Sequence, residues 1–579
     1  MKTTISKIIL VAVTLISLAN PTMSQRQDND RGHLFKWGKY AMFIHWGLYS
    51  QLGAEWNGKT YYGIAEWIKH EANIDKDEYK SLARNFNPTD FDAMRIAQLA
   101  KDAGMKYIII TSKHHDGFAM FHSQSDKFNI YDATPFHRDP MKELADACHR
   151  LGLGFGFYYS QFQDWTCPGG GNGPQADSNA NPVTFDEYFR AKCIPQVEEI
   201  TKNYGQIELI WFDTPGNMQK KYSEELVELV HKNQPHAMVS SRVGSGLGDY
   251  ETLGDMEVPI ENHPGLWEGI DVTNDTWGFS KYDKNWKSPK QIVKTLVSTI
   301  ARGGTFMMNI GPDGMGNIPE YAELSLRTSG KWVANHEDMI RAGEPSPWKH
   351  ALPWGDVIKK ENKLYLAVYE WPTSGNLYLP GLKSTISSAK LDNVNGQKAQ
   401  KLQYTNKDGW TIFQLPATRP NELVNVIELT FNTKDIEVDS TQSLDPDFGS
   451  AELSTLFGKP EGCTVRKSGW MEKFGEWKNI YISDDIHKGG KISWTVDVKT
   501  PGVYQTEVKA KGNSRVVWQI ETDEGEIAKN QQATSSIFGF KPVGWIKFNR
   551  PGKHTISITM PEKADSIELA AIRIIPIEF

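Results

Sequence analysis

The sequence is poor in cysteine, and its four cysteines are not arranged as a metal site or a disulfide framework. Four cysteines occur in 579 residues, and their spacing matches no zinc-binding pattern. Cys148 and Cys193 fall in predicted helices, where a buried cysteine packs as a small apolar residue. A disulfide involving Cys167 would require an oxidising compartment, and the sequence leaves that pairing open.

The sequence also lacks a strong excess of charge of either sign. It has 64 Lys and Arg against 71 Asp and Glu, which gives a formal net charge of −7. No run of Lys or Arg stands out along the chain. We therefore expect neither a nucleic acid nor an anionic membrane surface as a partner.

Long hydrophobic runs are missing except near the N-terminus. Lys2 and Lys7 precede an apolar stretch at 8–18, which is too short to cross about 30 Å of hydrocarbon. Small residues follow at the position where a signal peptidase cleaves. We predict that residues 1–24 are a signal peptide and that the mature protein is soluble, without membrane insertion, in the periplasm or outside the cell.

Residues 25–344 alternate short apolar runs with amphipathic helices. Three of these helices have clear ends. They begin at Asp92, Asp139 and Ser288, and a glycine follows the last residue of each helix. Strand and helix in alternation predict parallel pairing through right-handed crossovers, hence an α/β domain. Six strands are predicted, at 40–46, 106–112, 153–159, 206–213, 237–242 and 305–310.

A (β/α) barrel and a doubly wound sheet both fit that alternation, and two features favour the barrel. Gly152, Gly154 and Gly156 are predicted to alternate inside a strand, which suits a crowded barrel interior and not a phosphate-binding loop. Polar residues also gather at the C-terminal ends of the strands, where barrels build their active sites. These residues are His45, His114, His115, Tyr158, Asp213 and Arg242. Because a closed TIM-like barrel has eight strands, we expect an irregular barrel or two weakly marked strands.

Beyond residue 344 the helical periodicity ends and alternating strands separated by Gly, Pro and Asn turns begin. We predict a β-sandwich at 345–435, a polar linker at 436–446, and a second β-sandwich at 447–579. The last unit is similar in composition to carbohydrate-binding modules, and a purely stabilising appendage is the alternative.

One strand ends in a carboxylate that its own alternation directs into a cleft. In the segment 206–215, which reads QIELIWFDTP, Trp211 and Asp213 share a face with two apolar residues. This pattern is typical of a carboxylate placed for chemistry. The alternative is that Asp213 caps the turn that follows it.

Histidines provide the second group of candidate residues. On an extended chain His114 and His115 point to opposite sides, so we do not expect one metal ion to bind both. Imidazoles are good hydrogen-bonding groups for sugar hydroxyls, although a core histidine is the alternative for one of the pair. His45 ends a strand, and Glu66 with Trp67 lies in an aromatic neighbourhood that a surface helix would also explain.

A third feature is the carboxylate-rich segment 248–279, which Gly and Pro residues interrupt. We predict a long irregular loop over the barrel mouth, where a general acid would lie. A solvated loop without a catalytic role is the alternative.

Five short motifs together resemble the α-L-fucosidases of glycoside hydrolase family 29. They are HWG at 45–47, KHHDGF at 113–118, WFD at 211–213, WE with NDTWGF at 267–279, and NIGPDGMG at 309–316. The resemblance covers about residues 30–435. It implies a retaining exoglycosidase that removes terminal α-L-fucose from oligosaccharides or glycoconjugates without a metal or organic cofactor. Such enzymes use two carboxyl groups about 5–5.5 Å apart.

The same resemblance implies roles for individual residues. Asp213 matches the nucleophile, and Trp211 a residue that lines the fucose site. Trp277 and Phe279 are expected to meet the methyl group of the 6-deoxy sugar. Further substrate-binding positions are His45, Glu66, Trp67, His114, His115, Tyr158 and Arg242.

The acid/base residue is the least defined part of this prediction. We choose Glu257, with Asp255 and Glu261 as alternatives, because the motif in this loop aligns ambiguously. Glu268 would serve as a sugar ligand or as the acid. Two other functions stay open at this point: a retaining exoglycosidase for a related sugar such as galactose, and a catalytically inactive carbohydrate-binding homologue.

Overall fold

The structure is a computed structural model that describes residues 31–173, 183–392, 399–473, 475–562, 564 and 566–577. The predicted signal peptide at 1–24 lies outside these residues and stays a prediction. The described chain forms an N-terminal α/β unit followed by two units of antiparallel sheet. Among its helices, none combines the length and the apolar character that a membrane crossing requires.

The α/β unit is built around a curled sheet of eight parallel strands. In chain order its elements are β1 (Tyr40–Ile44), β2 (Glu55–Trp56), β3 (Lys59–Thr60), α1 (Ile68–Glu71), α2 (Lys76–Ser81), α3 (Ala93–Asp102), β4 (Tyr107–Lys113), α4 (Pro140–Leu151), β5 (Gly154–Ser160), α5 (Phe185–Tyr188), α6 (Ile194–Lys202), β6 (Leu209–Asp213), α7 (Lys220–Asn233), β7 (Met238–Val239), β8 (Glu251–Thr252), β9 (Trp267–Val272), α8 (Pro289–Ala301), β10 (Thr305–Ile310), α9 (Glu320–Asn335) and α10 (Glu337–Ile340). The sheet runs in the order β7-β6-β5-β4-β1-β10-β9-β8. A parallel bridge between Ser240 and Tyr250 joins its two edges and closes the barrel.

The prediction of a barrel is confirmed, and the two strands that the sequence did not reveal are β8 and β9. Both lie in the segment 248–279, which is therefore not one irregular loop. β8 has only two residues, and β9 carries Glu268 and Asp271 among its apolar residues. Neither strand shows an apolar run, because β8 is too short and β9 buries two acidic side chains.

The helix ends follow the predicted capping chemistry. The Asp92 carboxylate accepts a hydrogen bond from Arg95 N at the start of α3, and Ser288 forms a capping box with Gln291 at the start of α8. Gly152 ends α4 with a φ of +73°, a conformation that glycine adopts without steric cost. The N-terminal caps fix where the helices begin, and hence where the loops at the barrel mouth end.

The barrel interior is packed with large side chains, and its glycines make room for them. A β-carbon added to Gly156 would lie 2.2 Å from Leu209 O on the adjacent strand, so only glycine fits there. The predicted role of the alternating glycines is thus borne out for Gly154 and Gly156, whereas it is wrong for Gly152, which ends α4 before the strand begins. The interior residues include Phe43, Tyr107, Ile109, Tyr158, Leu209, Trp211, Ile270 and Met307.

The second unit consists of two antiparallel sheets. Its strands are β11 (Gly355–Lys360), β12 (Lys363–Val368), β13 (Asn376–Pro380), β14 (Ile386–Leu391), β15 (Gln400–Lys401), β16 (Tyr404–Lys407), β17 (Trp410–Gln414) and β18 (Asn425–Phe431). The sheets run β11-β12-β18-β14-β15 and β13-β17-β16, and they enclose a core of their own. A buried ion pair between Arg302 and Asp356 (2.8 Å) joins this unit to the barrel.

The C-terminal unit is also antiparallel for the most part. Its strands are β19 (Gln442–Leu444), β20 (Ala451–Ser454), β21 (Lys459–Glu461), β22 (Arg466–Lys473), β23 (Glu476–Ile482), β24 (Lys491–Val498), β25 (Gly502–Gly512), β26 (Arg515–Thr522), β27 (Ile527–Ala533), β28 (Gly539–Phe548), β29 (Gly552–Thr559) and β30 (Ile567–Pro576). The two main sheets run β19-β24-β29-β26-β27, with β21 beside β24, and β20-β30-β25-β28. Strands β22 and β23 form a separate hairpin.

The predicted linker at 436–446 is wrong in part. Its last residues form β19, which pairs in parallel with β24 of the C-terminal unit. Ser443 and Leu444 of this edge strand are both buried, so the end of the segment is part of the folded unit. The cysteines Cys148, Cys167, Cys193 and Cys463 are free, and the first and third are buried as expected.

Candidate active site

A cavity of about 650 Å³, open to solvent, lies at the C-terminal ends of the barrel strands. Barrels place their active sites at this end because the loops there converge around the axis. Ten of the residues singled out from the sequence line it: His45, Glu66, Trp67, His114, His115, Trp211, Asp213, Arg242, Asp255 and Trp277.

Asp213 is the last residue of β6, and its carboxylate is held from several sides. Oδ2 accepts a hydrogen bond from Tyr158 OH (2.9 Å) and lies 3.6 Å from His115 Nε2. Oδ1 accepts from Arg242 Nη1 (3.1 Å). Burial alone would raise the pKa of this carboxyl, but the Arg242 charge, His115 and the two hydrogen bonds hold the pKa below its ordinary value of 3.8. Asp213 is therefore an ionised, oriented carboxylate at neutral pH.

Arg242 connects Asp213 to a second carboxylate in the same cavity. The guanidinium Nη1 binds Asp213, while Nη2 binds Asp255 Oδ1. Its central carbon lies 4.8 Å from the centre of a Trp211 ring, which fixes the plane of the fork. Burial and the nearby Asp213 charge raise the pKa of Asp255 even though Arg242 opposes that shift. The two carboxyl groups thus have pKa values displaced in opposite directions.

Glu66 is a third acidic residue of the cavity. Its side chain is buried, and Oε2 accepts a hydrogen bond from Gly278 N (2.8 Å). Burial raises the pKa of Glu66 to about 7, and the charges of Asp255 and Asp213 add to the effect. Its position and its protonation suit a hydrogen bond to a substrate hydroxyl.

The three histidines at the cavity are neutral at pH 7. Burial lowers the pKa of His45 and of His115 to about 4, and it lowers the pKa of His114 as well. Asn309 donates its amide to Trp277 O, so its Oδ1 accepts from His45 Nδ1 (2.8 Å). This arrangement leaves His45 Nε2 as a hydrogen-bond acceptor.

The adjacent histidines, His114 and His115, differ from the sequence prediction. His114 and His115 line the same cavity, with ring centres 4.2 Å apart, so the expectation that they point to opposite sides is wrong. The chain leaves the extended conformation after Lys113, where β4 ends, and strand alternation no longer applies. In the part of the chain that the structure describes, no group of three His, Cys, Asp or Glu side chains is arranged to hold a metal ion.

Several residues from the sequence prediction lie outside the cavity wall. Tyr158 lies beneath Asp213 as its hydrogen-bond donor, and Glu268 is fully buried under Trp211, whose Nε1 donates to Glu268 Oε1 (2.8 Å). Burial raises the pKa of Glu268 to about 8. Glu261 pairs through its backbone with His350 near the second unit. Phe279 is half-buried and is not among the lining residues.

Glu257, the residue predicted to be the acid/base, has both of its carboxylate oxygens engaged in contacts with other parts of the protein. Its Oε2 accepts from Gly254 N (3.0 Å), and its Oε1 lies 3.5 Å from Lys467 Nζ. It is not among the residues that line the cavity, whereas Asp255 is. The geometry therefore favours Asp255, one of the two stated alternatives, for a proton transfer in this cavity.

The model of the α-L-fucosidase family matches residues 14–338, more than half of the chain. The chain belongs to the α-L-fucosidase family. It is a glycoside hydrolase with α-L-fucosidase activity, and the resemblance seen in the five motifs is confirmed.

Individual members of the α-L-fucosidase family are similar to this chain over most of their length. The plasma α-L-fucosidase of Homo sapiens is 29% identical over 400 residues, which are 64% of this chain and 83% of the human protein. The crystal structure of the α-L-fucosidase from Vibrio sp. strain EJY3 is 30% identical and has a TM-score of 0.76, covering 93% of this chain and 97% of its own.

The structure of a third relative has been solved in complex with the sugar itself. The α-L-fucosidase of Lactobacillus casei, in complex with its α-L-fucose product, is 41% identical with a TM-score of 0.50. The match covers 54% of this chain and the whole of that enzyme.

Sequence reasoning missed two groups of α-L-fucosidase site residues. The first group is Asn309 and Gln161. Asn309 lies in the NIGPDG motif, so the sequence marked this position, but its contact with His45 is visible only in the fold. Gln161 accepts from Asp213 N (2.9 Å) and donates to Arg242 O (2.8 Å). The second group is Met471, Gly475 and Trp477, which line the cavity from the C-terminal unit. Their only signal was the density of aromatic residues in 469–477.

Proposed function

We propose that this enzyme is a retaining, exo-acting α-L-fucosidase that hydrolyses terminal α-L-fucosides by double displacement. The observation that carries the proposal is the pair of carboxylates, Asp213 and Asp255, held by one guanidinium in one cavity. Carboxyl groups bound to adjacent nitrogens of one fork are close, consistent with the separation of about 5–5.5 Å in retaining enzymes. An inverting enzyme needs room for a water molecule between them.

In the first step Asp213 attacks the anomeric carbon while the bond to the leaving oxygen breaks. Asp255 gives its proton to that oxygen, and a fucosyl ester on Asp213 is formed. In the second step Asp255 removes a proton from water, which attacks the same carbon and releases Asp213. The lowered pKa of Asp213 supports the nucleophile role, and the raised pKa of Asp255 supports the role of an acid.

Selection of fucose rests on the apolar part of the cavity wall. Phe43, Ile64 and Trp277 line the cavity beside the polar residues. A C6 methyl group fits such a surface, whereas the C6 hydroxyl of galactose would be buried without a partner at a cost of about 1–3 kcal/mol. The neutral histidines and Glu66 supply hydrogen bonds to the ring hydroxyls. The expected substrates are fucosylated oligosaccharides or glycoconjugates.

The nucleophile is tested with Asp213→Gly. We expect a loss of kcat of about 10³-fold or more, with partial rescue by azide, which enters the vacated space and gives the β-configured fucosyl azide. Asp408→Gly, at an exposed turn of the second unit, is the matched control and should keep full activity. Full turnover by Asp213→Gly would exclude Asp213 as the nucleophile.

The acid is tested by comparing Asp255→Ala, Glu257→Ala and Glu66→Ala on two substrates. A fucosyl disaccharide needs protonation of its leaving oxygen, whereas α-L-fucosyl fluoride does not. Loss of the acid should therefore lower kcat/KM for the disaccharide by about 10²-fold or more and spare the fluoride. We expect this pattern for Asp255→Ala only. The same pattern in Glu257→Ala or Glu66→Ala would move the role to that residue.

A further inference from the structure

The C-terminal unit contributes a hairpin to the wall of the cavity. We call β22 and β23 together the cavity hairpin (466–482). Met471, Gly475 and Trp477 of this hairpin line the cavity with the barrel residues. A β-carbon placed on Gly475 would lie 3.8 Å from Asp255 Oδ2 and 3.7 Å from Trp277 Nε1. The end of the hairpin is therefore next to the catalytic groups.

The cavity hairpin is fixed to the loop that carries Asp255. Trp477 N donates a hydrogen bond to Asp255 O (2.9 Å), and Lys467 pairs with Glu257 two residues further along the loop. Gly254 allows this approach, because a β-carbon there would lie 2.8 Å from Trp477 Cβ. The hairpin and the acid/base loop thus form one wall of the cavity.

Two large apolar side chains of the cavity hairpin remain open to solvent. Met471 and Trp477 are opposite each other in the strand register, so they share one face. Met471 is 60% exposed and Trp477 is 42% exposed. On the other face Trp470 stacks on Phe538 of the C-terminal unit, with ring centres 5.8 Å apart. Trp470 therefore packs against the rest of the C-terminal unit, while Met471 and Trp477 remain at the cavity.

The position of Met471 and Trp477 indicates which part of the substrate they would contact. In the proposed function Asp255 protonates the oxygen of the leaving group, so the leaving group must lie on the Asp255 side of the fucose. Trp477 lies on that side, since its backbone N–H donates a hydrogen bond to Asp255 O. The carbon-bound hydrogens of a pyranose ring form an apolar face, which suits an exposed indole and a thioether.

We propose that Trp477 and Met471 form the subsite for the leaving group and bind the sugar ring next to the terminal fucose. The proposal rests on the proposed function, since it takes Asp255 as the proton donor. It assigns part of the substrate specificity to a unit outside the barrel. The substrate class is a fucoside whose leaving group carries a pyranose ring or a ring of similar size.

The test uses Trp477→Ala in the full chain with three substrates that separate ring size from the need for an acid. A fucosyl disaccharide has a ring and needs the acid, 4-nitrophenyl α-L-fucoside has a ring and needs little acid assistance, and α-L-fucosyl fluoride has no ring. We expect kcat/KM to fall about tenfold for the first two and to stay within about twofold for the fluoride. Met471→Ala should show the same pattern with a smaller change.

Three controls make the outcome specific. Trp477→Phe should recover most of the activity, because it keeps an aromatic ring on an unchanged backbone. Trp545→Ala replaces an exposed tryptophan of the same unit outside the cavity lining and should change none of the three rates. Asp255→Ala should affect the disaccharide alone, which separates the acid from the subsite.

Two results would overturn the subsite. One is an equal loss on all three substrates, which would mean that Trp477 only supports the loop. The other is no change on either ring-bearing substrate. Failure of the proposed function would be seen separately, as a lack of fucose release from the fluoride by the unchanged protein.

Discussion

At the scale of single residues, Arg242 connects two carboxyl groups whose pKa values are displaced in opposite directions. It binds Asp213 and Asp255 at once, and it packs on Trp211. Burial favours the protonated form of both acids. Asp213 remains ionised because it also receives the hydrogen bond of Tyr158. One cation therefore contacts an ionised carboxylate, Asp213, and a neighbouring carboxyl group, Asp255, whose pKa stays above its ordinary value.

We expect Arg242→Met to shift the pH dependence of activity as well as lower it. Without the guanidinium, burial raises the pKa of Asp213. Because Asp213, as the proposed nucleophile, must be ionised to react, activity is then lost at a higher pH as the solution is acidified. The acid limb of kcat/KM, measured with 4-nitrophenyl α-L-fucoside, should move upward by about one unit or more. Arg190→Met, on a surface helix, is the control, and an unmoved limb in Arg242→Met would contradict this account.

At the scale of elements, the mouth of the barrel depends on close backbone approach. β8 and β9 hold the loop between them, and the cavity hairpin (466–482) lies against that loop at Gly254. No side chain fits between Gly254 and Trp477, and this close approach lets Trp477 N donate to Asp255 O, the next residue of the loop. The position of Asp255 is therefore set by two elements that are far apart in sequence.

Gly254→Ala should separate these two elements. The added methyl group would lie 2.8 Å from both Trp477 Cβ and Glu257 Oε2, and overpacking of this kind costs about 1–3 kcal/mol. We expect a lower melting temperature and a larger loss of kcat/KM for a fucosyl disaccharide than for the fluoride. Gly539→Ala has open space around the new methyl group and should change neither. Unchanged disaccharide activity in Gly254→Ala would show that the contact is not needed.

At the scale of the whole molecule, three units are joined by specific polar contacts as well as by packing. The barrel meets the second unit through Arg302 and Asp356, both buried, with Ser298 and Tyr369 donating to the same carboxylate. A buried charge that loses its partner is costly because water cannot replace it.

Removal of Arg302 should destabilise this junction. Arg302→Met leaves the Asp356 charge buried and should lower the free energy of unfolding by about 3–5 kcal/mol. The double variant Arg302→Met, Asp356→Asn should recover part of that loss, since no charge then remains. Calorimetry measures both. Arg419→Met, which removes an exposed pair with Glu422, is the control. Equal stability of the single and double variants would argue against a charge effect.

The local features of this protein could be predicted from its sequence. Alternation placed Trp211 and Asp213 on the inner face of a barrel strand, and capping residues marked the ends of α3, α4 and α8. The order of five motifs was sufficient to find the α-L-fucosidase family. These features depend on residues near each other in the chain, where strand and helix periods relate sequence directly to direction.

Two features could be found only in the tertiary structure. They are the carboxylate that shares the cavity with Asp213 and the hairpin that completes the cavity wall. Asp255 and Glu257 are two residues apart in one loop, and their roles separate only through contacts with Arg242, Lys467 and Trp477. Strand β9 could not be found by its pattern, since it buries Glu268 and Asp271. Contacts between distant segments depend on how whole units pack, and packing leaves no periodic signal in the sequence.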